Sequence, residues 1–151
     1  QKKMSISFEE ILKLTNLAEN YNVSELTDQC LAKNKKKTLN ILNENDHQTE
    51  ENILILKTFL SKLKRLKRLK VDLENKKNLD DVISSYRPPI FWKDKDIIKI
   101  QLKIWSLTQI QKLIKKVSEL EFLVKKNPQI SNQVICNFIL EKLEKPNNKI
   151  L

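Results

Sequence analysis

The sequence predicts an all-α fold, a compact bundle of about six or seven helices, and three observations carry that expectation. Its 151 residues include no glycine and only four prolines, whereas a β-rich chain needs glycine at its hairpin turns and bulges. Apolar residues recur at helical spacing, and no stretch carries a strand signal. Helix-start pairs, a Ser or Asn followed three residues later by Glu or Gln, punctuate those runs.

In chain order, Ser7 with Glu10 forms a capping box that opens a short helix at Phe8. Asn22 with Glu25 opens a second, in which Val23, Leu26, Cys30 and Leu31 share a face. A break at Asn34 leads into a short helix bearing Leu39, Ile41 and Leu42. The polar stretch NENDHQTEE is a loop ending in Thr49, an N-cap candidate. A long helix follows from Glu50 to about Lys76, with Ile53, Leu56, Leu60, Leu63, Leu66, Leu69 and Leu73 as its apolar stripe. Asn78 caps a single short helix, LDDVISSY, which the prolines end: Pro88 drives Arg87 out of the α region and Pro89 restricts Pro88 likewise. A helix from Ile90 to Trp105 comes next. Ser106 with Gln109 then caps one from Leu107 to about Lys126, stopped by Asn127-Pro128, and the last runs from Ser131 to Glu144. Residues 1–6 read as a linker or the end of a preceding domain, 7–144 as one helical domain, and 145–151 as a frayed tail.

Composition narrows the chemistry. Without glycine there is no Walker-type or dinucleotide-type phosphate loop. Cys30 and Cys136 form no CxxC pair, and the lone His47 makes no metal cluster, so no cofactor or metal is expected; the cysteines read as small buried hydrophobes in a reducing compartment. No serine elbow or acid–base pair presents itself, so no catalytic residue is expected. No apolar run reaches the ~18 residues of a membrane span and no signal-peptide core is present, so a soluble, cytoplasmic protein is expected. The net charge of +10 invites a nucleic-acid reading. However, 26 of the 29 basic residues are lysine, and asparagine and isoleucine abound, a bias that AT-rich coding alone produces.

Two stretches stand out. Between Lys57 and Lys77 nine basic residues face only Asp72 and Glu74, a local net of +7. Lys62, Lys64, Arg65, Lys67 and Arg68 there are candidates for phosphate contact, although no aromatic among them offers a stacking platform. The second is SSYRPPIFWKDKDI, which gathers two prolines, three of nine aromatics and one of three arginines at the head of a helix that is apolar over half its circumference. At 100° per residue Ile98, Leu102 and Trp105 lie within about 40° of Phe91, while Ile97, Ile100 and Ile104 form a second band near ~210°. Either the helix runs through the middle of the bundle, or one band packs the core and the other meets another protein. Tyr86, Arg87, Pro88, Pro89, Phe91, Trp92, Ile97, Ile100 and Ile104 are therefore the candidate partner interface.

The run YRPPIFWKDKDIIKIQLKIWS, followed by LTQIQKLIKKVSELEFLVKKN, resembles the C-terminal part of the delta subunit of bacterial DNA polymerase III, a clamp-loader protein. In that family an aromatic beside one or two prolines precedes a helix ending near a tryptophan, and the next helix closes on E-x-x-x-K, here Glu121 and Lys125. Upstream, Asn22, Glu25, Leu26 and Asp28 match its N-x-x-E-L-x-D segment, so the resemblance spans about residues 5–144. It implies the helical collar domain, which packs against the gamma/tau and delta-prime types of loader subunit and holds a five-membered ring together. The family grips the sliding clamp through N-terminal domains that this chain does not match, and it serves a polymerase holoenzyme without itself catalysing synthesis. DNA contact would be indirect. The alternative is a helical nucleic-acid-binding module built on the basic helix 57–77.

Overall fold

The computed structural model describes residues 5–44, 49–76 and 78–144. Among them are seven α-helices and no strand: α1 (Phe8–Leu31), α2 (Lys35–Glu44), α3 (Thr49–Lys76), α4 (Leu79–Ser85), α5 (Lys95–Ile104), α6 (Leu107–Lys126) and α7 (Ser131–Leu143). Two 3-10 turns, Trp92–Asp94 and Pro128–Ile130, lead into α5 and α7. The predicted all-α bundle is thus the fold. His47 and the tail 145–151 lie outside the described residues, as do residues 1–4.

Local signals account for most boundaries. Both capping boxes form in full: the Ser7 hydroxyl accepts from the Glu10 N–H at 3.2 Å while the Glu10 carboxylate accepts from the Ser7 N–H at 2.9 Å, and Ser106 and Gln109 repeat the exchange at 3.2 and 2.9 Å. The Asn78 side chain accepts from the Asp80 N–H at 3.0 Å and caps α4. After α1 the chain reverses through a Schellman-type turn, with Asn34 N–H donating to the Gln29 carbonyl and Lys33 N–H to that of Cys30. Lys33 occupies the left-handed position at φ 55°, where a glycine would normally sit; this chain has none to place there. Thr49 is the first helical residue of α3.

Two helices differ from expectation. The short helices expected at Phe8 and at Asn22 are one, α1, 24 residues long. Asn22 and Glu25 carry the pattern of a helix start, but no proline or glycine separates them from the preceding turn, and an interior asparagine costs only some tenths of a kcal/mol. Conversely, the helix expected from Ile90 begins at Lys95. Phe91 holds extended backbone (φ −59°, ψ 135°), continuing the course that Pro88 and Pro89 impose, and only the 3-10 turn at Trp92 brings the chain into helix. The Arg87–Pro88 peptide bond is cis.

α3 is the central element and packs most extensively on α6. Its buried stripe is Ile55, Leu56, Phe59, Leu63, Leu66 and Leu69, all at 0% exposure. Ile53, Leu60 and Leu73 of the expected stripe lie beside it, half-buried. α6 contributes Ile110, Leu113, Val117, Leu120 and Val124, α7 contributes Ile135, Phe138, Ile139 and Leu143, and α5 contributes Ile98 and Leu102. Glu121 and Lys125 pair at 2.8 Å on the surface of α6, one turn apart.

Cys30 sits in this core, and burial pushes its thiol up to about 12, against the smaller opposing pull of Lys142 and Lys33. Its reactive thiolate is therefore scarce at neutral pH. In the native protein at pH 8, Ellman's reagent is expected to leave Cys30 unmodified for hours and to titrate it at once after denaturation in guanidinium. Rapid native modification of Cys30, identified by peptide mass, would contradict this burial.

Candidate partner interface

The C-terminal half of α1 is fastened into the bundle by polar side chains as well as apolar ones. Asp28 is 5% exposed and pairs with the Lys62 ammonium of α3. The Lys62 ammonium also donates to the Ser24 carbonyl at 3.1 Å and the Ser24 hydroxyl at 2.8 Å. From α5, the Gln101 side-chain amide donates to the Asp28 carbonyl at 3.0 Å and its carboxylate at 3.2 Å. The Trp105 indole N–H donates to the Leu31 carbonyl at 2.7 Å, satisfying one of the orphan acceptors at the end of α1. Burial draws the Lys62 ammonium below its ordinary pKa, and Asp28 partly restores it.

The N-terminal half of the same helix is free. Every residue from Phe8 to Tyr21 is exposed, including Phe8 at 79%, Leu17 at 64% and Tyr21 at 69%. At 100° per residue Leu14, Leu17 and Tyr21 share a face within about 60°, and Ser24, Glu25 and Asp28 continue it. That continuation is one wall of a groove of about 590 Å³. The other wall is Phe91, Ile97 and Ile100, with Phe91 and Ile100 57% and 49% exposed. A strip of apolar surface thus runs from Leu14 through Leu17 and Tyr21 of α1 into a cleft against α5, larger than the scattered single residues expected on a monomer.

The structure distributes the candidate residues unevenly. Phe91, Ile97 and Ile100 converge in this groove; Ile104 is half-buried against the core. Trp92 is 69% exposed, with its ring 5.9 Å from that of Phe91. Phe91 is therefore not part of the buried band with Ile98, Leu102 and Trp105; the residue that plugs the core at this junction is Ile90, at 8%. Arg87, Pro88 and Pro89 are exposed, and Tyr86 is half-buried with the Arg68 guanidinium 5.2 Å above its ring. Of the basic candidates, Lys64, Lys67 and Arg68 are exposed and Arg65 is half-buried. Lys62 is not available to a phosphate, because Asp28 and Ser24 occupy its ammonium inside the fold.

Sequence reasoning missed the exposed half of α1 because it broke that helix at Asn22; the apolar residues Phe8, Ile11, Leu12, Leu14 and Leu17 were its legible trace. Glu25, Asp94 and Asp96 line the groove against Lys37 and Lys93, while Asp28 is taken up by Lys62. Among the described residues no group of His, Cys, Asp or Glu could hold a metal ion, and no helix is long and apolar enough to cross a membrane. Comparison with family models, with curated proteins and with solved structures found no match for the chain.

Proposed function

We propose that this chain is a protein–protein assembly module, the collar-type domain of a clamp-loader delta subunit, which joins the other loader subunits into a ring during DNA replication. The observation that carries the assembly reading is the apolar strip of Leu14, Leu17 and Tyr21 on α1 running into the groove of Phe91, Ile97 and Ile100. What supports the finer reading is the order of the segments that resemble the delta family, from Asn22–Asp28 through the proline junction to Glu121 and Lys125. The partners would be subunits of the gamma/tau and delta-prime types, with no catalytic residue supplied by this domain.

Size exclusion with light scattering, on this chain alone and mixed with the loader subunits of the same organism, tests it. The expected result is a stable hetero-complex that Ile100→Asp or Leu17→Asp weakens by about tenfold or more, since burying an unpaired carboxylate in an apolar contact costs well over 1 kcal/mol. Lys64→Glu combined with Arg68→Glu leaves it intact. A complex indifferent to the apolar variants but lost on charge reversal would point away from the strip. A second reading, nucleic-acid binding, is favoured by the exposure of Lys64, Lys67 and Arg68 along α3. Its mark would be affinity for DNA that falls steeply with salt, with a slope that Lys64→Glu and Arg68→Glu make shallower.

A further inference from the structure

A second groove, of about 670 Å³, lies on the other side of Phe91 from the first. One wall is a row on α3, with Lys57, Ser61 and Arg65 at four-residue intervals along a single face. The other is the non-helical segment 86–91, of which Tyr86, Pro88, Pro89, Ile90 and Phe91 line the groove. Neither Lys57 nor Arg65 pairs with a carboxylate among the described residues, and the Arg65 Nε is buried with no hydrogen-bond partner. Arg65 itself is half-buried, so its guanidinium brings to the groove a positive charge that no carboxylate of the described residues compensates.

We propose that this groove binds a short extended peptide of another protein, one bearing one or two acidic side chains beside an apolar or aromatic anchor. The row fits such a chain: Lys57 and Arg65 are separated by about 12 Å of helix rise. An extended peptide places every second side chain on one face at about 6.7 Å, so acids four residues apart, about 13 Å, match the two cations. The proline wall has no N–H to give at Pro88 or Pro89, so it offers ring surface to the anchor rather than a strand edge. Arg65, with its planar fork, is suited to a carboxylate.

The same inventory disfavours a nucleic-acid strand here. Lys62 in this lining is already neutralised by Asp28, Asp94 adds a carboxylate, and Arg68 covers the face of Tyr86. Two free cations against one acid do not track a run of phosphates. A second copy of this chain is the poorer occupant too. The acidic and apolar segment that it exposes, Phe8–Leu12, is helical, and Glu10 is held in its capping box.

The test is fluorescence anisotropy on this chain with the labelled peptide Asp-Val-Ser-Val-Asp-Leu-Phe, its Asn-for-Asp analogue, and an oligo-dT competitor. Binding of the acidic peptide and not of the analogue is expected. Arg65→Lys should weaken it about tenfold, because it keeps the charge and loses the fork. Lys57→Glu should do the same, and Lys64→Glu should change nothing. Ser61→Glu, at an exposed position, reads the groove independently if Arg65→Lys fails to fold. The proposal is overturned if the peptide does not bind, if it binds the Arg65 and Ser61 variants unchanged, or if oligo-dT displaces it at lower concentration than free peptide does. A dimer in light scattering that Ser61→Glu dissolves would also overturn it, by making a second copy the occupant.

Discussion

Asp28→Ala is expected to lower the stability of the folded chain by about 3–5 kcal/mol, a large part of the ~5–15 kcal/mol that a domain of this kind has. The size follows from what is left behind. Lys62 keeps a buried ammonium whose partner has gone, and the Gln101 amide loses one of its two acceptors. The variant should also respond to pH in a defined direction. Burial lowers the folded-state pKa of Lys62 below its ordinary value of 10.5, and Asp28 is the chief group opposing that. A base with a depressed folded pKa binds fewer protons in the native state than in the unfolded one, so stability rises with pH between the folded value and 10.5. Without Asp28 that window widens downward, and the deficit measured by urea denaturation should be smaller at pH 9.5 than at pH 7. The double variant Asp28→Leu with Lys62→Met should recover most of the loss, since a buried pair is commonly replaceable by apolar residues of similar volume. A single-variant deficit under about 1 kcal/mol would show that the pair is solvated and not a fastener of α1.

That pair also marks the limit of what the sequence could reveal. Lys62 reads as one cation in a run of nine, and Asp28 lies 34 positions away on another helix; no local pattern links them. The same holds for Gln101 and Trp105, which reach 73 and 74 residues back to the end of α1. By contrast, the features decided within a turn or two were legible. Ser7, Asn78 and Ser106 cap where expected, and Asn127-Pro128 ends α6. The absence of glycine correctly set aside strands in the described residues.

The candidate interface was legible in part for the same reason. Ile97 and Ile100 follow from helical spacing alone. Phe91 does not, because its 100° steps assumed a helix that the prolines delay until Lys95. Placed on extended backbone, its ring turns from the core band to the surface and becomes the ridge between two grooves. The unusual residues at this junction therefore shape a surface, while Ile90, the plainest among them, fills the core.

Phe59→Ala should be comparably damaging, by about 3–5 kcal/mol, through a different mechanism. Phe59 is wholly buried on α3 and meets Phe138 of α7 edge-to-face, with ring centroids 5.3 Å apart and planes at 84°. Truncation loses the transfer free energy of the ring, leaves a cavity, and removes an aromatic pair that contributes ~0.5–1.5 kcal/mol beyond area. Phe138→Leu, which keeps most of the volume and loses the ring contact, should cost only about 1–2 kcal/mol, and the two changes together less than their sum, because they share one contact. The two centres are also separable by pH: a cavity carries no titratable group, so the Phe59→Ala deficit should be the same at pH 7 and pH 9.5, where that of Asp28→Ala shrinks. Equal pH dependence in both variants would mean that the loss of α7 packing loosens α1 as well, coupling the apolar seam between α3 and α7 to the polar fastening of α1 on α3 and α5.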